Sequence, residues 1–293
     1  MTYLRRTFTS ALFDAANVLF FVALCWLFLY PIVLMISLSL SDPAIIGAST
    51  PTLIPQGFSI AAYRAVLSSG SILRYYRNSL MYVVLGTSLM LALTSLVAYT
   101  LIHRSFSGRR PVTIILLVTM FFSGGLVPLY LLVRGIGLYN TVWPIVLPGA
   151  VGAWSVIVFR TFFLQIPAAL RESAHMDGAG HVTVLVRVIL PLSKALLATF
   201  TLFTAVGYWN MWFDALIFLR DRELYPIQLF LRSMLQEYDN VMYSTLPEEY
   251  KQQIPTRQAY ASVLILTIVP ILCIYPFLQR YFAKGVLVGS LRG

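Results

Sequence analysis

The chain has 293 residues, 59% hydrophobic and only 11% charged, with 21 Lys and Arg against 11 Asp and Glu for a net charge of +10. A soluble domain carries about 25% charged residues, so a water-exposed globule of this composition would lack polar surface, and a soluble enzyme is set aside. The cations are scattered between apolar runs and form no basic cluster interleaved with aromatics, which argues against nucleic acid as a partner.

In chain order, Arg5 and Arg6 precede an apolar run that is too long for a signal-peptide core and is followed by no A-x-A cleavage site. It reads as a retained helix. A helix needs about 20 mainly apolar residues to cross a bilayer. Six stretches qualify, at roughly 15–40, 79–102, 111–133, 142–164, 195–219 and 259–281. The fold class this predicts is all-α, a polytopic membrane helical bundle of six transmembrane helices in a single domain over residues 1–293. Cys25 and Cys273 sit far apart inside apolar runs and read as small buried hydrophobes, not as a disulfide or metal pair.

Orientation follows from the Lys/Arg bias of the connecting segments. With the N-terminus inside, the inner segments carry 12 cations against 3 acids and the outer ones 9 against 8. Both termini are therefore expected in the cytoplasm, and the bias explains most of the +10 without an anionic partner. Residues 41–78 form a long outer segment with Pro43, Pro51, Pro55 and Gly57, then an amphipathic stretch from Ile60 to Leu73. The third and fourth spans carry Gly124, Gly125, Pro128, Pro144 and Pro148, which predict kinked helices packed in a bundle. Ordinary membrane-helix glycine and proline explain these as well as a gating role does.

The inner loop at 165–194 is longer and less polar than a simple connection requires. Pro167 suits the first turn of a helix. Ala168 to Met176 are good helix formers, Asp177-Gly178 ends that helix, and a second helix is expected from about His181 to Leu190, before Pro191. Val184, Leu185, Val188 and Ile189 lie at helical spacing and form a small apolar face. Two short helices at an angle, projecting from the membrane, suit the docking of a cytoplasmic partner.

Farther along, Tyr208-Trp209-Asn210-Met211-Trp212-Phe213-Asp214 concentrates aromatics and polar groups in the fifth span. Aromatic rings stack on sugar faces, and Asn or Asp bonds sugar hydroxyls. An interfacial aromatic belt would look similar, and Asn210 tips the balance toward a path because buried polar groups in membranes face cavities. Residues 220–258 are the most polar part of the chain. Their run Arg220-Asp221-Arg222-Glu223 and the pair Glu248-Glu249 read first as solvated faces.

An enzyme would need a nucleophile or paired acids facing one site. His103, His175 and His181 fall in inner loops at no metal-binding spacing. No G-x-x-x-x-G-K-[ST] phosphate loop occurs, so any ATP must be handled by another chain. The rival class is a stand-alone secondary transporter or channel, which would want ionisable residues deep in the spans. The span centres lack them, and no inverted repeat shows.

The run Glu172-Ser173-Ala174, Asp177-Gly178-Ala179 and Ile189-Leu190-Pro191 resembles the EAA loop of ABC importer permeases, and the likeness extends over nearly the whole chain. It is similar to the carbohydrate permeases of the maltose-transporter kind, and within them to those for larger or acidic oligosaccharides, including alginate. Phe121-Phe122-Ser123-Gly124-Gly125-Leu126, Gly207-Tyr208-Trp209-Asn210 and Lys284-Gly285 with Gly289-Ser290 carry that narrower likeness.

The resemblance implies a non-catalytic subunit of a bacterial inner-membrane importer. It implies pairing with a second permease as a heterodimer, two ATPase subunits that hold ATP and Mg, and an extracytoplasmic sugar-binding protein that the 220–258 loop contacts. This chain would hold no cofactor. Glu172, Ser173, Ala174, Asp177, Gly178, Ala179, Leu190 and Pro191 would form the ATPase-coupling site. Arg171 and Ser173 depart from the commoner acid and alanine, and Arg171 reverses a charge there. Tyr208, Trp209, Asn210 and Trp212 would line the carbohydrate path. Lys284, Gly285 and Gly289 would reach between the ATPases, where a basic tail on lipid headgroups explains them equally.

Overall fold

The structure is a computed structural model that describes residues 8–46, 52–236 and 254–290. The described residues are mainly helical, and β-structure among them is limited to one isolated bridge, Ser41 to Phe58. Arg5, Arg6, Arg292 and the part of the second long loop at 237–253, with Glu248 and Glu249, lie outside the described residues.

The helices run α1 Phe8–Ser39, α2 Pro43–Ile46, α3 Ala61–Ser68, α4 Ser71–Ile102, α5 Arg109–Phe121, α6 Leu126–Gly135, α7 Trp143–Val146 and α8 Ala153–Gln165. They continue as α9 Ala168–Met176, α10 His181–Val184, a π-helical turn Leu185–Ile189, α11 Leu190–Leu192, α12 Lys194–Trp209 and α13 Phe213–Phe218. A 3-10 turn at Arg222–Leu224, α14 Ile227–Gln236 and α15 Thr256–Ser290 follow among the described residues. Leu12–Ser39, Ser71–Ile102 and Thr256–Cys273 are each long and apolar enough to cross a membrane alone. Three bent pairs, α5 with α6, α8 with α9, and the helix ending at Leu192 with α12, bring the number of spans to as many as six. The chain is a membrane helical bundle.

The breaks have local causes. Between α5 and α6 the axis turns by 119°, because Phe122 is extended (φ −119°, ψ 107°) and Gly125 takes φ +84°, a region closed to most L-residues. The stretch expected to cross at 142–164 is divided into α7 and α8, and that at 195–219 into α12 and α13, with Asn210 as the terminal cap of α12. In the segment at 41–78, α3 buries Ala62, Ala65 and Val66, the inward side of the expected amphipathic stretch, and Gly70 (φ +66°) separates it from α4.

Contacts divide the chain into two compact units, Met1–Ser71 with Met234–Ile268, and Ile72–Ser233 with Val269–Gly293. In the first, Leu38, Ile46 and Ala261 pack together. The buried Gln258 donates to the Ser41 carbonyl, and Asp42 N–H bonds the Gln56 carbonyl at 2.9 Å. The second unit holds two larger apolar clusters, described below with the sites they support.

Cys25 and Cys273 are exposed on their helices, not buried as their apolar surroundings suggested. In a membrane span the outward face is as apolar as the inward one, so composition does not separate them.

Candidate functional site

The loop at 165–194 folds into a helical elbow. Pro167 is the N-cap of α9 (φ −52°, ψ 130°). Asp177 caps its other end, and Gly178 adopts φ +82°. The Ala179 N–H donates to the Ala174 carbonyl at 2.9 Å and the Gly178 N–H to the His175 carbonyl at 3.0 Å. This pair of bonds is a Schellman closure, which satisfies the orphan carbonyls of a helix end and requires a left-handed residue at the position Gly178 holds. Ala174 and Ala179 make the accompanying apolar contact with one cluster of the core. Gly180 is extended and starts α10. Pro191 offers no N–H to the turn before it, and the chain there takes the wider π geometry at Leu185–Ile189. Ser193, whose hydroxyl donates to the Ile189 carbonyl at 2.8 Å, then marks an 84° turn into α12.

The elbow has two sides. Val184, Leu185 and Ile189 are fully buried, with Val188 against them, in a cluster with Tyr99 and Ile102 of α4, Phe159 and Phe163 of α8, and Phe200 of α12. The apolar face read from the sequence is therefore turned into this chain's own bundle. Each such side chain stabilises the packing by about 1.5–3 kcal/mol as an upper figure. The outward side presents Glu172, Ser173, Asp177, Gly178 and Pro191, all exposed, together with Met176 (88% exposed) and Val182 (68%). Leu190 is half-buried. Arg171 is half-buried too, with its Nε out of solvent and facing no acceptor.

Three histidines meet where the elbow approaches the residue that follows α4. His103 Nε2 lies 3.3 Å from His181 Nδ1, and His175 packs edge-on to His181 with ring centroids 4.9 Å apart. His175 Nδ1 is 2.8 Å from the Ala179 carbonyl, to which it donates. Burial, then the nearby His181, Arg171 and His175, push the His103 imidazole below its usual 6.5. Sequence spacing separated these residues; the fold brings them together.

The second candidate region is a cavity of 270 Å³ lined by Leu129, Pro144, Gly149, Tyr208, Met211 and Asp214, among others. Of the four residues read as a path, Tyr208 lines this cavity and donates from its hydroxyl to the Val146 carbonyl at 3.2 Å. Asn210 is exposed; its Nδ2 donates to the Val206 carbonyl at 3.0 Å and its Oδ1 accepts from Gln228 Nε2 at 3.2 Å. Trp209 is buried beside Tyr76, with centroids 5.8 Å apart. Trp212 is covered by the guanidinium of Arg232, 3.5 Å from its ring centroid.

The sequence reading missed the residues that brace this region. Asn78 Nδ2 donates to the carbonyls of Glu223 and Tyr225 at 2.6 and 3.0 Å, Tyr82 OH donates to the Leu224 carbonyl at 2.9 Å, and Ser79 Oγ accepts the Ile227 N–H at 2.8 Å. The signal was present as polar residues on one face of an apolar span, which in a membrane turn toward protein. The charged run at 220–223 is engaged here as well. Asp221 caps the 3-10 turn, and Glu223 pairs with Arg74 at 2.9 Å. Lys284, Gly285 and Gly289 all fall within α15.

Residues 54–288 match the family model described as binding-protein-dependent transport system inner membrane component. The chain is 35% identical over 99% of its length to Protein LplC of Bacillus subtilis (strain 168), covering 98% of that protein. It is also 35% identical over 97% of its length to the polygalacturonan/rhamnogalacturonan transport system permease protein YtcP of the same organism, covering 99% of it. Among solved structures it is similar to a chain of a bacterial ABC transporter involved in the import of the acidic polysaccharide alginate, with a TM-score of 0.87, 29% identity, and coverage of 95% of this chain and 99% of that one.

Proposed function

The chain belongs to the family of binding-protein-dependent transport system inner membrane components, and on that footing we propose that it is the permease subunit of an ATP-driven oligosaccharide importer. Its partners in this reading are a second permease, two ATPase subunits that carry ATP and Mg, and an extracytoplasmic sugar-binding protein. The chain itself performs no catalysis and holds no cofactor. It sits in the bacterial inner membrane with both termini in the cytoplasm, as the Lys/Arg bias supports. Acidic, uronate-containing oligosaccharides are the favoured substrate class, on the named cargo of the polygalacturonan/rhamnogalacturonan permease and of the alginate transporter.

The elbow is the observation that carries the mechanism. Its outward side exposes Glu172, Ser173, Asp177 and Gly178, while Val184, Leu185 and Ile189 are locked into α4, α8 and α12. A push by an ATPase cleft on α9 then moves three helices together, because packed interiors transmit displacement. Ala174 and Ala179 join the two sides, and Leu190-Pro191 leads into the turn before α12. Tyr208 and Asn210 are the side chains we assign to the sugar path, with Trp209 and Trp212 supporting them through packing. Lys284, Gly285 and Gly289 extend α15 toward the ATPases.

Gly178→Trp tests the coupling role in the assembled importer. Nothing lies within 4 Å of a Cβ at this position, so the substitution leaves insertion intact, blocks the docking surface and strains the backbone. The expected result is ATP hydrolysis uncoupled from uptake. Normal coupled uptake overturns the assignment. Uptake assays with neutral and uronate oligosaccharides test the substrate class, and a preference for neutral sugars rejects it.

A further inference from the structure

The turn between α4 and α5 and the outer surface of α8 gather four arginines around one recess. Arg104, Arg109, Arg110 and Arg160 line it, together with Phe106 and Ile114 among others, and no acidic residue does. Its volume is 690 Å³, several times that of a phosphate group. The one ion pair among the described residues joins Arg74 to Glu223, so none of the four has a carboxylate within reach there. Arg160 Nε is shut off from solvent and meets no acceptor. A buried guanidinium N–H left unmet is costly, and besides its arginines the recess offers only the hydroxyls of Ser107 and Thr113, with no negative charge.

The local backbone has the same sign. Arg109 and Arg110 open α5, whose first turn holds no acid and whose N-cap, Gly108, supplies no side-chain acceptor. Cations at the positive end of a helix oppose its dipole, and an anion there would satisfy both. Guanidinium forks match phosphate oxygens in paired hydrogen bonds. The site lies where spans end, and Phe106 and the exposed Ile114 continue it along the apolar surface of α5. A headgroup with acyl chains meets both the charged recess and that apolar border, whereas a free ion meets only the first.

We propose that this recess binds a phosphate group supplied by the headgroup of an anionic phospholipid. The site holds the α4–α5 turn against α8, next to the elbow, and so ties the inner end of the bundle to the membrane surface. It is independent of the sugar and of the ATPase-docking surface.

The test uses the whole importer complex, equilibrated with phosphatidylcholine vesicles containing a minority of phosphatidylglycerol. It is then extracted mildly, and the retained lipid is weighed by native mass spectrometry. The wild-type complex should retain phosphatidylglycerol above its bulk share. Arg160→Gln should reduce that retention about fivefold, Arg160→Lys should keep most of it, and the combined R104Q/R109Q/R110Q/R160Q should abolish the enrichment. Arg134→Gln, remote from the recess, should change nothing. Displacement of the lipid by inorganic phosphate would overturn the lipid as the source while leaving a phosphate site. No enrichment in the wild type, or equal enrichment in the variants, overturns the site altogether. So does loss of the ATPase subunits from the arginine variants with lipid retention unchanged, since the recess would then be a protein contact.

Discussion

Nε2 of His103, just past the end of α4, meets Nδ1 of His181 at the start of α10 across 3.3 Å. The contact joins the elbow to a long span, and it needs one ring to donate and the other to accept, so at least one must be neutral. His103 is held below its usual 6.5 by burial first and by the neighbouring cations second. A depressed base of this kind is taken up neutral on folding. Its contribution is therefore intact above the unfolded value of 6.5 and is lost as the pH falls through the lower folded value. Hydrogen exchange across residues 168–192, corrected for intrinsic rates, should show the elbow opening as the pH drops from 7 toward 5. His103→Gln should flatten that dependence; an unchanged profile in the variant would assign the effect elsewhere.

Gly86 on α4 is matched to the ring of Tyr208. A Cβ at this position would come well inside 3.0 Å of the ring carbons, and Tyr208 is pinned by its bond to the Val146 carbonyl. Gly86→Ala should destabilise the complex by about 1–3 kcal/mol through overpacking and distort the cavity beside it. Thermal unfolding in detergent reads the first effect. Combined with Tyr208→Ala, the two losses should be clearly less than additive, and additive losses in the double variant would refute the pairing.

Asn140 has φ +60° and supports the chain that leaves α13. Its Oδ1 accepts the N–H groups of Arg220 and Asp221, both at 2.8 Å, while its own N–H donates to the Phe218 carbonyl at 2.9 Å. Asn140→Ala loses two hydrogen bonds and places a Cβ residue in a disfavoured region, costing about 2–4 kcal/mol. Asn140→Gly keeps the conformation and should lose roughly 1 kcal/mol less. Equal melting temperatures for the two variants would show that the backbone term is absent.

Asn78 clamps the segment at 223–225 to α4 with two donated bonds from a buried amide. Asn78→Ala strands both carbonyls and should cost about 1–3 kcal/mol. Asn78→Asp also loses the donor and adds a charge beside them, so it should be the more damaging. Proteolytic nicking of the assembled complex at 220–227 is the direct measurement, and an order reversed between the two variants would contradict the clamp.

Much of the fold was legible because the bilayer restricts the choice. Long apolar runs with few charges can only be helices, and α1, α4 and α15 appear where such runs lie. The elbow was legible for a local reason, since Pro167 starts a helix and Gly178 ends it through contacts within a few residues. The cysteines were misread because an apolar neighbourhood in a span says nothing about which side faces protein. Trp212 lies under Arg232, a residue from α14 whose approach no spacing in the sequence encodes.

The sequence by itself determined that this is a membrane bundle, that its loop at 165–194 turns at Gly178, and which family pattern that loop resembles. These properties depend on hydropathy and on short-range backbone geometry, which act over one turn or one span. Only the tertiary structure decided that Val184, Leu185 and Ile189 face inward and leave Glu172 and Asp177 outside. It also decided that three dispersed histidines share one contact, that Gly86 seats Tyr208, and that four arginines from two helices and a turn open on one recess. Those relations arise from close packing between segments far apart in the chain, where the partner of each side chain is set by the bundle and not by its neighbours in sequence.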